Sequence, residues 1–255
     1  MDIIVRAVIG MLLVGAATLP VAAAELRVLC PHALRAPVLE VARVFARSGG
    51  HRIEFIFAGV GAIHKRVASG ETADVAIGTA EGVDALQRLG RAVPGSEAAI
   101  ARSVLALAVR HAAPGVSAVD ADALARTLRD AASLVYPDAS LGAPGGGQVA
   151  ELLDRLGLTA ELKARSRLVA DAREVARRVA AGSAQLGIAH MNDIIGAQGV
   201  VAVGPLDDPA TRALVYAAVV VQRSASAEVG LAWVRFLTGA EAKAAFRAAG
   251  FGPGD

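Results

Sequence analysis

The sequence predicts an α/β protein built on largely parallel sheets, and three observations carry that prediction. From Glu25 onward, short apolar runs of strand length alternate with stretches whose apolar residues recur at helical spacing. Two continuous apolar runs, Val104–Val109 and Leu214–Val221, have the length of buried strands and fall well short of a membrane span. Removing the first 24 of the 255 residues leaves about 230, enough for one large domain or two lobes of ordinary size.

Residues 1–24 read as a secretory signal peptide. Arg6 precedes an uncharged run from Ala7 to Leu19, and Pro20 then leads into Val21-Ala22-Ala23-Ala24, small side chains suited to a signal peptidase. A periplasmic protein beginning at Glu25 is expected. Cys30, the only cysteine, follows Arg27-Val28-Leu29 rather than the small residues that precede a lipid-modified cysteine, and one thiol makes no internal disulfide. Lys and Arg number 26 against 24 Asp and Glu, and no basic cluster is interleaved with aromatics, so no nucleic-acid partner is expected.

Taken in order, Leu26–Leu29 is a strand, and Ala33–Arg47 is a helix with Leu34, Val38, Val41, Val44 and Phe45 on one face, ended by Ser48-Gly49-Gly50. Ile53–Phe57 is a second strand, Gly59-Val60-Gly61 a turn, and Ala62–Ala68 a short helix stopped by Ser69-Gly70. Val75–Ile77 is a third strand, entered through Asp74 as a turn residue, and Glu81–Leu89 is helical. The strand Val104–Val109 runs into the polar turn His111–Gly115, where the chain is expected to cross to a second lobe. There, helix Ala121–Ala132, strand Ser133–Tyr136, the Gly/Pro loop Pro137–Gly147 and helix Gln148–Leu156 follow. Next come helix Glu174–Ala181, strand Leu186–Ala189, helix Asn192–Ala197 and strand Val200–Val203. Leu214–Val221 crosses back, and Val229–Leu237 and Ala240–Ala249 are terminal helices. The expected organisation is signal peptide 1–24, lobe I from 25–107 and 220–255, and lobe II from 108–219, hinged at the two crossing strands.

Four loops, at Cys30–Ala33, Gly59–Gly61, Ser140–Gly147 and His190–Asn192, each lie between a strand end and a helix start. Helix starts present unpaired N–H groups and the positive end of the macrodipole, so converging starts make an anion site at the carboxyl ends of the strands.

Five segments in order carry a family resemblance. They are the Glu25–Leu29 strand running into Cys30-Pro31-His32-Ala33-Leu34; Phe57-Ala58-Gly59-Val60-Gly61-Ala62-Ile63; Gly70-Glu71-Thr72-Ala73-Asp74-Val75-Ala76-Ile77; Ala181-Gly182-Ser183-Ala184-Gln185-Leu186-Gly187-Ile188-Ala189-His190; and Phe236-Leu237-Thr238-Gly239-Ala240-Glu241-Ala242-Lys243 through Ala249-Gly250-Phe251. Over essentially the whole mature chain this resembles the type 2 periplasmic binding proteins, and among them the molybdate-binding subfamily. The resemblance implies a two-lobed fold, each lobe a mixed, mostly parallel sheet flanked by helices. It also implies a non-enzymatic role: capture of a small anion for the membrane permease of an ABC-type uptake transporter. A monomer is the default expectation for such a clamp, and no cofactor is expected.

The residues expected to line the cleft are Cys30, His32, Ala33, Gly59, Val60, Gly61, Ser140, Gln148, His190 and Asn192. Oxyanion-binding relatives carry hydroxyl side chains in the first two loops and a tyrosine in a later one. The matching positions here are His32 or Ala33, Val60, and His190. The ligand is therefore left open between a molybdate- or tungstate-like oxyanion and a small organic acid. Two alternatives draw on other residues: metal capture by Cys30, His32 and His190, or a cysteine-dependent enzyme on the same fold.

Overall fold

The computed structural model describes residues 25–111, 120–141, 145–206 and 212–254, which arrange around two sheets. The signal peptide read at 1–24 lies outside the described residues, as do parts of the His111–Gly115 turn and the Pro137–Gly147 loop.

The first sheet is entered by β1 (Glu25–Pro31), which is followed by a 3-10 turn at His32–Leu34 and by α1 (Arg35–Gly49). Then come β2 (Arg52–Ala58), α2 (Val60–Ala68), β3 (Val75–Thr79), α3 (Ala80–Arg88) and β4 (Ala98–Ser103). The second sheet is built from β5 (Leu105–Arg110), α4 (Ala121–Asp130), β6 (Leu134–Pro137), α5 (Gly146–Arg155), α6 (Thr159–Leu162) and β7 (Ser166–Val169). It is completed by α7 (Arg173–Ala180), β8 (Leu186–His190), α8 (Met191–Ile194) and β9 (Val200–Val203). The chain then returns to the first sheet through β10 (Leu214–Val220), α9 (Ala227–Phe236), α10 (Ala240–Ala248) and β11 (Gly252–Pro253). No helix among the described residues is long and apolar enough to cross a membrane.

The strand orders are β11-β4-β10-β3-β1-β2 and β7-β6-β8-β5-β9. β1 pairs in parallel with β2 and β3, and β6 with β7 and β8, while β10 and β5 run antiparallel to their neighbours. Both sheets are thus mixed, and their parallel strands send several carboxyl ends to one edge. Local chemistry sets the helix ends: α1 stops at Gly50, whose φ of 68° closes a left-handed cap. Thr79 Oγ1 accepts from Gly82 N at 3.1 Å to start α3, and an Asp120 carboxylate oxygen accepts from Ala123 N at 2.7 Å to start α4.

The crossings lie elsewhere than the apolar runs suggest. The expected lobe boundaries, 107/108 and 219/220, fall inside strands: all of β5 pairs in the second sheet and all of β10 in the first. The chain passes over at Val104, between the last residue of β4 and the first of β5, and returns between β9 and β10. An apolar run announces burial on both faces but not the sheet that buries it, which is decided by hydrogen-bond register. Asp74, read as a turn residue, does more: its carboxylate accepts from Arg27 N at 2.8 Å and from Ser224 Oγ at 2.6 Å, tying β1 to the segment after β10.

Period-2 alternation on β5 aims the second sheet at its two layers. Leu105, Leu107 and Val109 face the core under α4 and α5, and Ala106 and Ala108 face α7. Gly187, opposite Ala108 on β8, continues this small-residue face. A Cβ at Gly187 would lie 2.4 Å from a Val175 methyl, so α7 sits against the sheet at a distance only glycine permits. Gly187→Ala is expected to destabilise the protein by about 1–3 kcal/mol through overpacking, read as a lower midpoint in urea at unchanged slope.

Candidate functional site

The carboxyl ends of β1 and β2 face those of β7 and β8 across a cleft of about 390 Å³. The first sheet contributes the turn Pro31-His32-Ala33, the Ala58-Gly59-Val60 entry to α2, and Leu214 and Tyr216 of β10; the second contributes Ala170 to Arg173, His190, Asn192 and Asp193. Outward it widens into a groove whose walls carry Arg35, Arg173 and Arg177. Glu40 and Asp193 share these walls with the guanidinium groups, and Asp171 pairs with Arg177, while Arg173 also carries its guanidinium to the inner cleft.

α2 starts at Gly59, which has extended backbone (φ −69°, ψ 150°) and offers no side chain to cap the first turn. Its leading N–H groups are left for whatever enters the cleft. Arg173 opens α7, and its guanidinium donates to the His32 carbonyl at 3.4 Å, reaching from the second sheet's side to the first. Because α7 is pressed onto the alanine and glycine face of β5 and β8, this cation is carried on a rigid support.

His190 is buried at the end of β8. Its Nε2 lies 2.7 Å from Gln148 Oε1, a carbonyl oxygen that only accepts, so the imidazole is protonated at Nε2. Gln148 in turn donates its amide to the Arg212 carbonyl at 2.7 Å. Gly145, at φ 80°, lies against the ring where a Cβ would come within 3.1 Å. Burial lowers the His190 pKa to about 4, so the ring is neutral under physiological conditions. The next loop is pinned at the seam between sheets: Ser103 Oγ, at the end of β4, donates to Asn192 Oδ1, and Asn192 Nδ2 donates to Asp193 Oδ1 at 3.3 Å.

Two carboxylates line the cleft with Arg173, in different conditions. Asp171 caps α7 by accepting from Arg173 N at 3.0 Å, pairs with Arg177 at 3.5 Å, and is largely exposed. Asp193 is mostly withdrawn from water, and burial raises its pKa to about 6, with Arg173 opposing and Asp171 adding to the rise. Tyr216 beside it is buried and its phenol is raised, chiefly by desolvation.

The structure brings His32, Ala33, Gly59, Val60, His190 and Asn192 together on the cleft. Four expected residues fall elsewhere. Cys30 is fully buried on the core side of β1 with Leu26 and Val28, because it shares their parity along the strand, and its Sγ donates to the Pro31 carbonyl at 3.6 Å. Gly61 faces the neighbouring depression between α2 and α3, one helical step round from Val60. Ser140 is exposed, its hydroxyl bonded to Asp138 at 2.7 Å. Gln148 stands behind His190 as its support and not among the lining residues.

With Cys30 in the core, the trio Cys30, His32 and His190 does not assemble, and no cluster of three or more His, Cys, Asp or Glu suited to a metal occurs among the described residues. Burial also raises the Cys30 thiol far above its usual range, the opposite of what a nucleophile needs. A thiol reagent at pH 8 is expected to leave Cys30 unmodified in the native protein and to label it fully after unfolding; rapid native labelling would reopen the cysteine alternative.

The cleft residues missed in the sequence are Asp171, Arg173, Asp193 and Tyr216. The first two follow β7, a four-residue strand (Ser166–Val169) whose Ser-Arg-Leu-Val composition carries no clear apolar run. Recognising that strand would have marked the loop after it.

The family model for bacterial extracellular solute-binding proteins matches residues 26–252. A curated relative, the aconitate isomerase of a Pseudomonas species, is 29% identical over 247 residues, covering 93% of this chain and 92% of that protein. Among solved structures, the substrate binding domain assigned to a molybdenum ABC transporter from Clostridium difficile aligns with a TM-score of 0.81 at 17% identity, over 91% of this chain and 100% of that one. The periplasmic molybdate-binding protein of Azotobacter vinelandii aligns with a TM-score of 0.67 at 24% identity, over 89% and 98% of the respective chains. The two-lobed binding-protein fold expected from the sequence motifs is the fold of these structures.

Proposed function

Because this chain belongs to the bacterial extracellular solute-binding proteins, we propose that it captures a small organic polycarboxylate between its lobes and delivers it to an ABC-type permease, after export directed by residues 1–24. The observation that carries the reading is the pairing of a cation from one side, Arg173, with the uncapped start of α2 on the other, across a cleft of about 390 Å³. At roughly 30 Å³ for each water-sized group, a four-oxygen tetrahedral anion occupies about a third of that space. An organic acid of about a dozen non-hydrogen atoms matches it better. The first two loops supply His32 or Ala33, and Val60, where a tetrahedral oxyanion would want hydroxyl donors, which favours a ligand with a carbon skeleton to meet Ala33 and Val60 and charged ends.

Thermal melting of the mature protein with di- and tricarboxylates, molybdate, tungstate, sulfate and phosphate tests this. A ligand at 100 times its dissociation constant adds about 2.7 kcal/mol, roughly 5–10 °C for a chain of this size. Polycarboxylates are expected to give that shift; a shift with molybdate and tungstate alone would overturn the assignment. Replacing Arg173 with Met is expected to weaken polycarboxylate binding about 10- to 100-fold by calorimetry, the worth of one charge-assisted hydrogen bond at a partly exposed site, with little change in the melting of the free protein.

A second reading is favoured by one specific observation: the aconitate isomerase relative aligns over nearly the full length of both chains. On that reading the cleft also interconverts isomers of the unsaturated polycarboxylate it binds.

A further inference from the structure

We propose that Asp193 is the acid–base residue with which this cleft moves an allylic proton on a bound unsaturated polycarboxylate, shifting the ligand's double bond. The proposal rests on the isomerase reading and assigns its chemistry to a residue.

A clamp that only holds anions gains nothing from a carboxylate on the wall of its ligand site, since like charges repel. Asp171 is accounted for: it caps α7 and pairs with Arg177. Asp193 is not. Among the described residues its side-chain hydrogen bond comes from Asn192 Nδ2 at 3.3 Å, a long contact, and the group lies on both the inner cleft and the outer groove. Its position is nevertheless fixed, because Asn192 is bonded to Ser103 at the seam between the sheets.

The groups around it suit proton transfer. Asp171 and Arg173 face it from the α7 side, His190 precedes it at the end of β8, His32 comes from the turn after β1, Tyr216 from β10, and Arg35 and Arg177 stand farther out in the groove. His190 is neutral and Tyr216 protonated, so neither competes for the proton near neutral pH. Desolvation places the Asp193 carboxyl near pH 6, where a base is both largely ionised and still basic enough to act.

The step balances without a co-reactant. A C–H bond of the methylene between a carboxylate and the alkene breaks, and the proton passes to Asp193. The electron pair spreads over the three allylic carbons into a flanking carboxylate, where Arg173 and the N–H groups at the start of α2 meet the developing charge. Asp193 returns a proton to the far allylic carbon, a new C–H bond forms, and the double bond has moved by one carbon with no net oxidation or reduction.

Proton NMR of cis- and trans-aconitate with the mature wild-type protein, Asp193→Asn and Asp193→Ala tests the assignment, with ligand-induced melting shifts measured on the same samples. The wild type is expected to interconvert the isomers, with kcat/KM lost as pH falls through about 6. Both variants are expected to fold and keep a ligand-induced shift while losing about 10²- to 10⁴-fold in rate, the range of general acid–base catalysis. Variants that bind and turn over at the wild-type rate would overturn the role of Asp193 and leave the isomerase reading standing. A wild type that binds aconitate without interconverting it would overturn the isomerase reading and this proposal together, leaving capture intact. A wild type that binds neither aconitate isomer would overturn the isomerase reading and this proposal, and capture would then be decided by the wider screen of di- and tricarboxylates.

Discussion

Truncation of Trp233 to alanine is expected to cost about 3–5 kcal/mol and to lower the melting temperature by roughly 6–20 °C. Trp233 is fully buried on α9 and is the hub of the aromatic cluster that closes the first sheet's core. Its ring centroid lies 5.1 Å from Phe45 on α1, 6.2 Å from Phe55 on β2 and 6.3 Å from Phe236. Removing it opens a cavity bounded by elements far apart in sequence, and collapse of any one of them would disturb the others. The indole Nε1 has no hydrogen-bond partner among the described residues, so Trp233→Phe removes an unsatisfied donor along with some area and is expected to cost under about 2 kcal/mol. Chemical denaturation of the two variants separates these outcomes. A small loss for alanine would mean that the aromatic cluster repacks.

The second large effect concerns pH. Asp193, raised from 3.8 to about 6 in the folded state, contributes stability that is complete below pH 3.8 and is lost as pH rises through about 6. His190, lowered from 6.5 to about 4, contributes stability that is complete above pH 6.5 and is lost as pH falls through about 4. Each amounts to at most about 3 kcal/mol. Between pH 4 and 6 the two oppose, so the wild type is expected to show nearly flat stability there. Asp193→Asn removes one side of the balance. Its stability is expected to climb from pH 4 to pH 6.5 and to exceed that of the wild type at pH 7.5 by up to about 3 kcal/mol, with little difference at pH 4. Denaturant midpoints across this range decide it; parallel pH profiles for the two proteins would mean that Asp193 is not held out of water. Greater stability on losing the carboxyl is the usual mark of a group retained for function.

Much of the architecture was legible because it is written in local patterns. The helix face of Leu34, Val38, Val41, Val44 and Phe45 predicts α1; Val38, Val41 and Phe45 form its buried side, Leu34 is buried in the turn just before it, and Val44 is half-buried. Glycine at 59 marks the strand-to-helix turn that opens onto the cleft, and His190 and Asn192 were found from their place after a strand. β4 and β7 were not legible: Ser-Arg-Leu-Val lacks a continuous apolar run, and the Ala-Ala-Ile-Ala of β4 is mostly alanine, which favours helix as readily as strand. Cys30 was misplaced by one step of strand parity, which turns a side chain from cleft to core.

By itself the sequence determined the alternation of strands and helices, and with it the loops at strand ends where a ligand can sit, because backbone periodicity and turn chemistry are properties of neighbouring residues. Only the tertiary structure decided which sheet owns β5 and β10, how closely α7 approaches Gly187, and therefore that Arg173 and Asp193 share one cleft with His32 and Tyr216. Those facts depend on register and on desolvation, and both arise from atoms contributed by distant parts of the chain.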